Sequence, residues 1–120
     1  MPQGQSLSLN ASKASFSPTS STVLEASKVL SATAANLYAI NCYSTVAGLL
    51  IFLDRTTAPA DGAAIVPKKI FAVPANGATT YDWETPVRFS TGCVAVFSTN
   101  LANPFVFTAS PTAFVSADFA

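Results

Sequence analysis

Two near-copies of one turn signal limit what this chain can fold into. Pro59-Ala60-Asp61-Gly62 and Pro74-Ala75-Asn76-Gly77 both end in a dipeptide that tolerates the positive φ of a tight turn. Ser90-Thr91-Gly92 makes a third break. Around these turns, across Val46–Asn100, run short stretches of β-branched and aromatic residues, bounded in the way strands are bounded. The layout specifies compact antiparallel β-structure.

Strands follow along the rest of the chain. Lys28–Thr33 alternates weakly, and Leu37–Tyr43 sets Tyr38, Ile40 and Cys42 on one face. Val46–Leu53 is almost continuously apolar, as expected of a strand covered on both sides. Asp54–Ala64 reads as a loop, and Ile65–Val73 follows with a kink after Pro67. Thr79–Trp83 alternates, while Val87–Ser90 and Cys93–Thr99 form a hairpin around Thr91-Gly92. Pro104–Thr108 and Ala113–Phe119 complete the series, with Val115, Ala117 and Phe119 sharing a face. Only Ser20–Ala35 could pass for a helix, and its Ser and Thr content argues against that. The fold expected is all-β: an antiparallel β-sandwich, jelly-roll-like, of about eight strands. At 120 residues the chain is one domain with one principal core.

The first 25 residues differ from the remainder. Met1–Glu25 is rich in Ser and Thr, with isolated apolar residues at Leu7, Leu9 and Phe16. A segment of this kind cannot order itself by burial alone. It is either a terminal tail or an extended arm, residues 1–25, that orders on a neighbouring subunit, ahead of a sandwich domain at residues 26–120. A flexible tail has little use for the three apolar residues. Leu7, Leu9 and Phe16 are therefore the candidate interface anchors, and the Leu7-Ser8-Leu9 alternation suits addition to a sheet edge.

Composition narrows the partners. Half the chain is apolar but only 10% is charged, against about 25% in an ordinary domain. A large neutral surface favours association, so a homo-oligomer is expected. Six basic and six acidic residues cancel. With Lys68-Lys69 as the one adjacent basic pair, neither nucleic acid nor an anionic membrane surface is an expected partner. The longest apolar run is less than half the ~20 residues a membrane helix requires. The long alternating strands and aromatic girdles of an outer-membrane barrel are not visible. The N-terminus carries no basic cluster ahead of an apolar stretch, so synthesis in the cytosol without a signal peptide is expected.

Reactive residues are sparse. Without histidine the chain lacks the commonest general base and the usual Ser or Cys triad. Asp54, Asp61, Asp82, Glu84 and Asp118 are the carboxylates of the domain. Asp61 belongs to its turn, and Asp82 and Glu84 read as the wet face of an edge strand. No catalytic, cofactor or metal site is expected, and the expected function is non-enzymatic. Cys42 and Cys93 lie in strands, either as buried thiols or as a disulfide. Tyr81 and Trp83 suit a core position, with a subunit interface or a sugar-stacking platform as alternatives. Asp54-Arg55 and Arg88 read as loop-end or interface salt bridges.

The strand step Phe52-Leu53-Asp54, the Pro59–Gly62 and Pro74–Gly77 turns, and Arg88-Phe89-Ser90-Thr91-Gly92 leading to Phe97-Ser98-Thr99 together resemble small virion proteins of tailed bacteriophages and their prophages. The resemblance covers roughly Ser44–Asn100 and consists of turn and strand signals. It implies a structural component of a phage particle, foremost a head decoration or cement protein. Such proteins are small β domains, often homotrimeric, that sit on the capsid surface and staple neighbouring major capsid subunits. A tail, baseplate or head-fibre component, including one that binds host-surface glycans, is the alternative. The arm matches no motif of the family.

Overall fold

The computed structural model describes residues 17–120, and Leu7, Leu9 and Phe16 lie outside that range. It is a two-sheet antiparallel sandwich with no helix among the described residues. Eight strands run in chain order: β1 (Ser17–Ser20), β2 (Ser27–Ser31), β3 (Ala35–Ser44), β4 (Gly48–Leu53), β5 (Lys69–Val73), β6 (Gly77–Phe89), β7 (Cys93–Ser98) and β8 (Ala113–Phe119). Sheet A has the order β1-β8-β3-β6 and sheet B the order β2-β7-β4-β5. The antiparallel pairs nest as 1–8, 2–7, 3–6 and 4–5, like a long hairpin folded over on itself.

The turns follow the sequence signals. Gly62 has φ +82° and Asn76 has φ +51°, both in the left-handed region that Asp-Gly and Asn-Gly were expected to occupy. Other details differ from expectation. Ser17–Ser20, expected within the arm, forms β1 against Ser116–Phe119, and Glu25 bridges Ala113. Thr79–Trp83 and Val87–Ser90 belong to one long strand. Between Asp82, opposite Ala39, and Val87, opposite Leu37, the residues Trp83–Pro86 bulge out against Tyr38 alone. Pro86 is accommodated there because β6 is an edge strand. The same irregularity shifts the phase of β3, so Leu37 rather than Tyr38 joins Ile40 and Cys42 inside. Pro104–Thr108 makes only isolated bridges.

The main core lies between the sheets, around Leu37, Ile40, Leu50, Phe52, Phe89 and Phe97. Burying each of the larger side chains stabilises the fold by about 1.5–3 kcal/mol relative to exposure. A second cluster covers the opposite face of sheet B: Ile51 and Leu53 of β4 and Val94 and Val96 of β7 pack under Ile65 and Phe107. Those two residues come from the long loops 54–68 and 99–112. The loops are tied together by Phe107 N–H donating to Ala63 (2.9 Å) and Ile65 N–H donating to Phe105 (2.9 Å). Strand β4 is thus apolar on both faces because both are covered, as its continuous run indicated.

Cys42 and Cys93 are free, buried thiols on the inner faces of β3 and β7. Burial pushes Cys42 up to about 11. Burial and, secondarily, the Asp54 charge push Cys93 up to about 12. Both thiols should therefore stay silent to Ellman's reagent at mildly alkaline pH in the native protein and react fully once it is denatured. Rapid native labelling would contradict this burial. Gly92 tests the packing elsewhere. A Cβ there would sit 2.6 Å from the Arg55 carbonyl oxygen and 2.9 Å from that of Ser31, both backbone atoms that cannot swing away. Gly92→Ala should cost about 1–3 kcal/mol in urea unfolding, and an unchanged midpoint would contradict that close approach.

Candidate functional site

With β4 and β7 of sheet B covered on both sides, Val29 and Ile70 on the edge strands of sheet B are left to solvent, as is the outer face of sheet A. Its residues fall into rows fixed by strand register, because directly paired residues share a face. One row crosses all four strands as Pro18, Asp118, Ala39 and Asp82. Two residues along, a second row reads Ser20, Ser116, Asn41 and Thr80. A third holds Phe114, Tyr43 and Ala78. The strands alternate here: Ile40, Cys42, Val115 and Ala117 are buried inside, which turns Ala39, Asn41, Ser116 and Asp118 outward.

Short side chains in the first two rows leave a groove of about 500 Å³ over the sheet. Inside it, Thr80 Oγ1 donates to Asn41 Oδ1 at 3.0 Å, so the Asn41 amide is held with its NH₂ group free to donate. Asp82 and Asp118 flank the Ala39 methyl from either side. Neither makes a hydrogen bond or ion pair with another described residue. Among the described residues no Lys or Arg lines the groove. At its end Tyr43 and Phe114 stack with ring centroids 5.4 Å apart and planes 25° from parallel, and Phe114 is 37% exposed.

A second aromatic group sits at the open side of the sandwich, between edge strands β5 and β6. Tyr81 and Trp83 lie 4.7 Å apart, and Phe71 contacts both, at 5.8 and 5.9 Å. Phe71 continues through Phe52 to Phe89, so the group is rooted in the core. Tyr81 is nonetheless 48% exposed, which corrects the expectation of a core position for that ring, while Trp83 is partly buried against the main core. The reason is that β6 lies at the sheet edge, where no further strand covers the rings.

The expected salt bridges do not form among the described residues. Arg55 donates to Thr57 Oγ1, and Arg88 donates to Asn36 Oδ1. Asp54 instead fastens the β6–β7 turn. Its carboxylate accepts from the amides of Thr91 (2.8 Å), Ser90 (3.1 Å) and Gly92 (3.3 Å) and from the Ser90 hydroxyl (2.9 Å). Asp61 likewise accepts from the Ala109 amide at 2.9 Å, linking its turn to the neighbouring loop. Among the described residues no group of three or more His, Cys, Asp and Glu is placed to hold a metal ion.

The sequence reading named Asp82 and Asp118 but did not bring them together, and it missed Asn41, Tyr43, Thr80, Phe114 and Ser116. The available signal was the other half of each alternation. Val115, Ala117 and Phe119 were recognised as one face of β8, which leaves Phe114, Ser116 and Asp118 on the other. Comparison with protein-family models, with curated proteins and with solved structures finds no match.

The Asp54 clamp makes a prediction about pH. The Thr91 amide first, then the Ser90 and Gly92 donors, hold the Asp54 carboxyl down at about 2, with burial working in the opposite direction. Because the folded value lies below the unfolded value of about 3.9, the clamp stabilises fully above that pH and is lost as pH falls through about 2. The stability gap between the native protein and Asp54→Ala should be widest at neutral pH and close on acidification across that window. A gap independent of pH would rule out the charged clamp.

Proposed function

We propose that this chain is a non-enzymatic structural subunit of a tailed-bacteriophage particle, a head decoration or cement protein on the capsid surface. Its partners are the major capsid protein and further copies of itself, with a homotrimer favoured. The observation that carries the reading is a charge-poor sandwich with several large apolar side chains left in solvent. Val66 is 87% exposed and Leu101 and Phe105 are each 58% exposed on the loops over sheet B, while Val23 and Leu24 are exposed between β1 and β2. Exposed apolar residues on a surface with few charges favour contact with neighbouring subunits. The virion resemblance of Ser44–Asn100 supplies the kind of particle.

The work of such a protein is energetic. Contacts of about 1,000 Å² or more per subunit, repeated by symmetry, hold capsid edges together through avidity. Residues 1–16 are the proposed lattice arm, with Leu7, Leu9 and Phe16 as anchors. Residues 17–20 belong to the sandwich as β1, so the arm can be removed without touching a described strand.

Quantitative mass spectrometry of purified particles tests the reading. A ratio near one copy per major capsid subunit is expected. A handful of copies would move the protein to the tail, baseplate or a head fibre, and absence from particles would end the virion reading. A variant lacking residues 2–16 should keep the native circular dichroism spectrum and show reduced occupancy. Full occupancy by that variant would remove the arm from the mechanism.

A further inference from the structure

We propose that the outer face of sheet A is a binding site for uncharged, hexose-type oligosaccharides. The inference stands apart from the virion reading and rests on what the register of four strands places side by side. Sugar hydroxyls both donate and accept, so a complementary surface needs fixed acceptors and fixed donors within one sugar's reach. Asp82 and Asp118 supply carboxylate acceptors with no partner among the described residues, one on each side of Ala39. Asn41 supplies the donor. Thr80 occupies its Oδ1 at 3.0 Å, which orients the amide and leaves the NH₂ group free to donate. Ser116 lies between Asn41 and β1 in the same row and adds a hydroxyl that serves either role.

The apolar part of the complement is present as well. A pyranose ring has C–H faces that pack against flat apolar surface, and the stacked Tyr43–Phe114 pair offers one at the end of the polar rows. Pro18 and the Ala39 methyl interleave with the two carboxylates. The groove's volume of about 500 Å³ is of small-ligand size.

Charge chooses among ligand classes. Among the described residues, two carboxylates without partners and no cationic lining residue disfavour sulfated or sialylated glycans, phosphates and nucleic acid. A lysine-bearing peptide would satisfy the carboxylates but would leave the fixed Asn41 donor and the aromatic pair without a role. A neutral polyhydroxyl ligand uses all three features.

The test uses the full chain, isotopically labelled, titrated by NMR with gluco-, galacto- and manno-oligosaccharides, and separately with a sialylated oligosaccharide and a lysine-rich peptide. At least one neutral sugar should bind at low-millimolar concentration or tighter, shifting the Asn41 side-chain amide and the Tyr43 and Phe114 ring signals. Asn41→Ala and Asp118→Ala, both at outward positions, should each weaken binding about tenfold or more. Phe105→Ala, on the loop layer over sheet B, should leave affinity unchanged. No shift with any neutral sugar overturns the proposal. So does binding that survives Asn41→Ala and Asp118→Ala but is lost with Trp83→Ala, which would move the platform to the β5–β6 rim. Preference for the sialylated sugar or for the peptide overturns the assignment of ligand class.

Discussion

Strands β4 and β7 are apolar on both faces, and the rest of the molecule is arranged around covering them. One side is met by sheet A, whose Leu37, Ile40 and Val115 close the main core. The other side has no third sheet. Loops 54–68 and 99–112 take that place by lowering Ile65 and Phe107 onto Ile51, Val94 and Val96. Without that cover, sheet B would expose an apolar face large enough to aggregate.

Covering sheet B with loops has a structural cost, since loop backbone near a core must find hydrogen-bond partners. Short side chains provide many of them. The buried Ser98 hydroxyl accepts from the Thr108 and Asn100 amides, and Asp61 accepts from Ala109. At the other end of β4, Asp54 collects three amides of the β6–β7 turn and joins strands from the two sheets. Gly92 lets that turn approach the Arg55 and Ser31 carbonyls more closely than any side chain allows. Polar residues thus hold the connections while apolar residues hold the layers.

The same asymmetry decides where ligands and partners have access. The loop layer over sheet B presents exposed apolar side chains, suited to subunit contact. Sheet A presents an ordered polar face with an aromatic end, suited to a small ligand. Val66, Leu101 and Phe105 of the loop layer lie on the sheet B side of the sandwich, away from the sheet A groove.

Much of the fold was legible in the chain. Asp61-Gly62 and Asn76-Gly77 announced their turns because positive φ is a local property of the backbone. The run Val46–Leu53 announced the double burial found in Gly48–Leu53, because a strand covered on both sides has no polar face to show. Phase and proximity were not legible. A bulge at Tyr38 shifted β3 by one residue, and a single residue of phase exchanges the inner and outer faces. Tyr81 reached the exposed rim while Trp83 packed against the core edge, because β6 is an edge strand, which no local pattern states. The alternation of each strand determined which side chains share a face. Only the pairing of β1, β8, β3 and β6 decided that Asp118, Ala39, Asp82, Asn41, Tyr43 and Phe114 share one surface, because register between distant strands is set by packing across the whole sandwich.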